Sequence, residues 1–191
     1  MYKKIAVSNY KIFSEYHADF SIQSYAEHLA KLCEITDFLI LREKNLSAEA
    51  YTDLADLVIQ NCKNKKAHII LHSFIGCCHK LNCMHIHLPL PIFTENLALL
   101  NNFETVGVSV HSVNEAVFAQ KNNASYIIYS HIFQTDCKKD LPPKGLANLE
   151  EVCKSVKIPV YALGGINDEN ESSVIAAGAA GVCRMSDYMK C

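Results

Sequence analysis

The feature that most limits what this chain can fold into is an unbroken alternation of short apolar runs with helix-length amphipathic segments. The apolar runs, predicted as strands, are 3–8, 38–41, 68–71, 84–88, 105–110, 125–130, 159–163 and 181–185. Between them, apolar residues recur at helical spacing over 21–33, 48–61, 77–81, 94–100, 112–121, 146–155 and 168–177. Ser47 precedes the second of these segments, and Ser112 with Glu115 three residues on reads as a capping box opening the fifth. Gly178 falls where the seventh should stop. Eight strand–helix units predict an α/β fold, a compact (β/α)8 TIM barrel, rather than an open sheet. No Gly-x-Gly-x-x-Gly turn follows the first strand, which argues against a dinucleotide-binding sheet.

A length of 191 residues is economical, because barrels of this type usually take about 250. The expectation is one domain over 1–191, with a shortened third helix and a truncated eighth. Only residues 186–191 follow the eighth strand, so the seam between strands eight and one is expected to be covered by a second copy in a homo-oligomer. The 18 Lys+Arg and 20 Asp+Glu leave a net charge of −2, with no electrostatic footprint for nucleic acid. No apolar run approaches the roughly 20 residues that span a bilayer, and the amino terminus turns polar at Ser8, too soon for a signal-peptide core. A cytoplasmic location follows as an expectation. The nine cysteines are then read as thiols in a reducing compartment, with Cys33, Cys62, Cys153 and Cys183 as small hydrophobes.

In such a barrel, chemistry sits where the strands end. Gly164-Gly165-Ile166 follows the seventh strand, and Arg184-Met185-Ser186 closes the eighth. Loops after these two strands hold phosphate on backbone N–H groups that glycine lets approach closely, although a glycine pair also serves as a plain helix-entry turn. Ser109 and His111, one residue apart, share a face of the fifth strand; on that motif alone His111 reads as a helix-flanking residue and Ser109 as a satisfied hydroxyl. His131 stands at the root of the longest loop in the carboxyl half, where an imidazole suits a reaction that only moves hydrogen. His72, Cys77, Cys78, His79, Cys83, His85 and His87 form a dense stretch without the paired spacing of a zinc site, so no metal is predicted there. His85 and His87 share a strand face, and one of them is expected to line the barrel.

Four blocks carry a family likeness: Leu41-Arg42-Glu43-Lys44-Asn45-Leu46-Ser47, Gly107-Val108-Ser109-Val110-His111, Phe133-Gln134-Thr135-Asp136-Cys137-Lys138-Lys139 and Ile158-Pro159-Val160-Tyr161-Ala162-Leu163-Gly164-Gly165-Ile166. In this order they resemble the thiamine phosphate synthase superfamily, most closely its TenI-like thiazole tautomerase branch. The synthases hold pyrophosphate with Mg²⁺, through acidic residues after strands three and four. Here those places read His72-Ser73 and Leu88-Pro89-Leu90-Pro91, without the hard carboxylate oxygens Mg²⁺ demands. His131 stands where the synthases carry proline and falls on the tautomerases' catalytic histidine. The resemblance therefore implies aromatisation of a carboxythiazole phosphate, with His131 as acid/base and no cofactor. It also implies phosphate at Gly164, Gly165, Met185 and Ser186, a cation for the carboxylate at Arg42 or Lys44, and binding roles for Ser109 and Lys138. Ile40 stands where Gln or His commonly precedes the arginine, and Arg184 replaces a usually apolar residue. The alternatives are a Mg²⁺-dependent thiamine phosphate synthase and a non-catalytic phosphate-ligand-binding regulatory barrel.

Overall fold

The computed structural model describes residues 2–135 and 141–191. In chain order the first half runs β1 (Lys3–Val7), α1 (Tyr10–Tyr16), α2 (Ile22–Ile35), β2 (Phe38–Leu41), α3 (Ala48–Asn61), β3 (His68–His72), α4 (Ile75–Lys80), β4 (His85–Pro89), α5 (Leu90–Glu95) and α6 (Leu97–Leu100). The second half runs β5 (Thr105–Val110), α7 (Val113–Lys121), β6 (Tyr126–Ser130), α8 (Gly145–Ser155), β7 (Val160–Leu163), α9 (Glu171–Ala176), β8 (Gly181–Arg184) and α10 (Ser186–Lys190). The strands form a closed barrel in sequential order, β1 to β8, which is the (β/α)8 architecture expected from the alternation.

Helix starts follow side-chain chemistry. Ser21, Ser47 and Ser112 each accept a hydrogen bond from a first-turn N–H, of Ser24, Ala50 and Glu115. Glu115 reaches back as a capping box should, but its carboxylate accepts from His111 N–H at 2.6 Å, one residue earlier than the usual partner. The segment expected as one helix over 94–100 is instead α5 and α6. Pro91 is tolerated in the first turn of α5, and Asn96 ends it by donating its side-chain amide to the Ile92 carbonyl at 2.8 Å. Asn167 and Asn170 bond each other's backbone N–H groups and delay α9 to Glu171. The helix after β3 is short, as expected, at six residues.

Contacts sort into two compact units. In the unit of residues 4–86 and 184–191, β1, β2 and β3 pair in parallel, with Ile40 beside Val7 and Ile70. Helices α2 and α3 pack together, burying Tyr25, Leu29 and Cys33 from one and Tyr51, Ala55 and Val58 from the other, at the spacing of a helical face. In the same unit α10, five residues long, packs against α1, a helix the sequence pattern did not predict. In the unit of residues 1–3 and 87–183, β5, β6, β7 and β8 pair in parallel. Its strands bury Val108, Val110, Ile127, Ile128, Ala162 and Val182.

Candidate active site

Strand β6 is buried along its whole length, and its pairing with β7 continues past the last strand residue. Ser130 lies opposite Leu163; beyond it, Ile132 N–H donates to the Leu163 carbonyl at 3.1 Å and Phe133 N–H to the Gly164 carbonyl at 3.0 Å. His131 is therefore held at the root of its loop by main chain on both sides. The far end of the loop returns to the same place: Lys144 N–H donates to the His131 carbonyl at 2.9 Å and Gly145 N–H to that of Ile132 at 3.0 Å. The Ser130–His131 peptide bond is cis. His131 is 3% exposed, with Nε2 at 3.3 Å from the Leu141 carbonyl oxygen. A carbonyl only accepts, so Nε2 carries the hydrogen, and in the uncharged form of the ring the lone pair falls on Nδ1.

Gly164 and Gly165 have φ of +108° and +64°, where side chains are strained. A Cβ on Gly164 would lie 2.8 Å from the His131 Cα, and one on Gly165 2.9 Å from the Phe133 Cβ. The pair is thus required first by the close approach of the loop after β6, and that approach seats His131. Among the described residues, no main-chain acceptor takes the N–H of Gly164 or Gly165.

Ser109 on β5 lies opposite Ile128 of β6, so His131 is three residues further along, about 10 Å of strand. The structure gives Ser109 a different partner. His87 Nε2 lies 2.8 Å from Ser109 Oγ, and His87 Nδ1 lies 3.1 Å from Tyr126 Oη. His87 is thus the histidine of the β4 pair that turns to β5 and β6, while the ring of His85 lies against that of His68. Gly107 makes the room: a Cβ there would fall 2.6 Å from His87 Nδ1 and into the Tyr126 ring. Burial pushes the Tyr126 hydroxyl well above the ordinary phenol range. Sequence alone left open which of His85 and His87 turns inward, because their period of two puts both on one face; the contacts of His87 with Ser109 and Tyr126 distinguish them. His111 is exposed, and its Nδ1 lies 3.0 Å from the Ser130 carbonyl, in keeping with a helix-flanking residue.

The remaining candidates belong to the other unit or fall outside the described residues. Glu43 is buried, and its carboxylate accepts from Ser8 Oγ at 2.6 Å, Tyr25 Oη at 2.5 Å and Tyr10 N–H at 3.0 Å. Burial first, and then the Glu43 charge, hold the Tyr25 hydroxyl well above the ordinary range. Arg42 is half-buried, donating its main-chain N–H to Ser8 Oγ at 2.7 Å, and Lys44 is exposed. Met185 and Ser186 are half-buried where β8 passes into α10, with Asn9 Nδ2 at 3.6 Å from the Met185 sulfur. His72 closes β3, its Nδ1 at 2.8 Å from Ser73 Oγ. Lys138 lies outside the described residues. A cavity of about 240 Å³ lined by Phe93, Leu100, Phe103, Val106, Asn122 and Ser125 sits at the amino-terminal ends of β5 and β6. That is the opposite end of those strands from His131.

A family model described as thiamine monophosphate synthase matches residues 10–188. A thiamine-phosphate synthase of Clostridium novyi is 33% identical over 153 residues, covering 78% of this chain and 75% of the relative. One from Clostridium acetobutylicum is 32% identical over 152 residues, covering 78% and 72%. Among solved structures, a thiamine phosphate pyrophosphorylase from Pyrococcus furiosus superposes with a TM-score of 0.79. It is 22% identical and covers 99% of this chain and 88% of its own, a likeness of fold.

Proposed function

The chain belongs to the thiamine monophosphate synthase family, and from that premise we propose that it is an enzyme of thiamine biosynthesis that isomerises a thiazole phosphate, with His131 moving the proton. The names of its relatives favour a transferase instead; the residues at the strand ends favour the isomerase. Displacing pyrophosphate with Mg²⁺ calls for hard oxygen ligands, ordinarily one or two carboxylates. After β3 the chain carries His72 and Ser73, and around the end of β4 Leu88, Pro89, Leu90 and Pro91. Glu43, after β2, is already taken by three donors. Among the described residues these positions do not fit Mg²⁺, and the proposed reaction needs neither metal nor redox cofactor.

Aromatising the ring requires removing a proton from the carbon that bears the carboxylate and delivering one to the exocyclic carbon. A single imidazole serves both steps in turn. With Nε2–H committed to the Leu141 carbonyl, Nδ1 is the atom that takes the proton and returns it. The same carbonyl accepts a stronger, charge-assisted hydrogen bond while the ring is an imidazolium. The ester phosphate is assigned to the N–H groups of the Gly164–Gly165 turn, which packs on His131 itself. The observation that carries this reading is His131, buried at the root of the β6 loop with one ring nitrogen oriented by a main-chain acceptor.

The test follows aromatisation by ultraviolet absorbance with and without EDTA, in the wild type and in His131→Asn. The substitution is expected to lower turnover by about 10²-fold or more, the usual share of general acid–base catalysis, with phosphate-ester binding retained and EDTA without effect. Full turnover in His131→Asn removes the histidine from the mechanism. Product formed only from a pyrimidine pyrophosphate plus a thiazole phosphate with Mg²⁺ establishes the transferase in its place, and tight binding without either turnover establishes a silent ligand-binding barrel.

A further inference from the structure

Two of the nine cysteines, remote in sequence, meet inside one unit. Cys33 lies in the last turn of α2 and Cys62 caps the carboxyl end of α3. Their sulfurs are 3.1 Å apart, and both residues are buried, at 0% and 5% exposure. Main chain holds the approach on each side: Ala67 N–H donates to the Cys33 carbonyl at 2.9 Å, and Lys65 N–H to the Cys62 carbonyl at 3.0 Å. A disulfide bond is about 2.05 Å long, so the two sulfurs need to close by roughly 1 Å.

We propose that Cys33 and Cys62 are an oxidative modification site, a dithiol that a peroxide closes into a disulfide linking α2 to α3. The chemistry has a direction. The hydrogen bond between the thiols and the nearby Lys65 ammonium hold the Cys62 thiol below the ordinary range, while Cys33 is pushed up. The Cys62 thiolate is then the nucleophile that opens the O–O bond, becoming a sulfenic acid as the other oxygen leaves as water. The Cys33 sulfur attacks the sulfenic sulfur and displaces a second water. Two thiols and one hydrogen peroxide give one disulfide and two waters; the sulfurs lose two electrons and the peroxide gains them. Both thiols sit where α2 and α3 lead into β2 and β3, at the amino-terminal ends of these strands, so the link constrains unfolding rather than the strand ends that bear chemistry.

The experiment treats fully reduced protein with hydrogen peroxide, unfolds it, blocks free thiols with iodoacetamide, digests without reductant and maps the peptides by mass spectrometry. The Cys33 and Cys62 peptides are expected as one linked species, two hydrogens lighter than their sum. The urea midpoint should rise and fall back with dithiothreitol, and Cys62→Ser should lose both effects. Recovery of both residues as alkylated thiols while the exposed Cys191 is oxidised overturns the proposal. So does Cys62 found as sulfinic acid with Cys33 alkylated. The wild-type map decides whether or not the serine variant folds.

Discussion

At Gly164 the backbone stands at φ +108°, and a side chain there would press on both Cα and Cβ of His131. Gly164→Ala is expected to cost about 1–3 kcal/mol in backbone strain and to lower turnover as well, because the residue it displaces is the proposed base. Urea denaturation and the aromatisation assay, run side by side, check this; wild-type values in both would mean that the loop after β6 yields freely. The residue scale is also where reading the chain alone was weakest. Glu43 and Arg42 stand together after β2, and letters cannot tell which serves the fold; Ser8, Tyr10 and Tyr25 converge on Glu43 and answer that. The place of His131, by contrast, was legible: a strand of period two running into a long loop puts it at the loop root, where Ile132 N–H and Lys144 N–H fix the main chain on either side.

At the scale of elements, α3 is fastened to the sheet by one hydroxyl. Tyr51 is fully buried; its Oη donates to the Leu41 carbonyl at 2.6 Å and accepts from His72 N–H at 2.8 Å, bridging the ends of β2 and β3. Tyr51→Phe keeps the ring and strands both main-chain groups, so a loss of about 1–3 kcal/mol is expected in chemical denaturation. An unchanged midpoint would show that water or a shifted strand end replaces the hydroxyl. The strands themselves were visible in the sequence to within a residue or so, because period and composition are local. Helix α1 was not: it spans seven residues, buries only Phe13 and starts at a lone Asn9 cap, leaving too short a pattern to recognise.

On the scale of the whole molecule, acid is expected to loosen the fold through His28. Its Nε2 lies 2.6 Å from the Tyr188 carbonyl, and its ring packs beside Phe13 and His17, tying α2 to α1 and α10. Burial lowers the His28 pKa below its ordinary 6.5. The unfolded chain therefore takes up a proton near pH 6.5 that the folded chain refuses, and stability present above that pH falls as acid is added. A melting temperature that drops from pH 7.5 to 5.5, and drops less in His28→Gln, is the expected result; equal slopes would remove His28 from the account.

What the amino-acid sequence determined by itself is the barrel: the order of eight strands, the capped helix starts and the short helix after β3. All of these rest on neighbours within a turn or a strand. The tertiary structure alone decided which of the polar residues so placed are spent on holding the fold. Gly164 serves His131, Tyr51 joins two strand ends, His87 takes Ser109, and Cys33 meets Cys62 across 29 positions. Hydrophobic period records which way a side chain points, whereas a contact between distant residues depends on register and on how helices lie against the sheet.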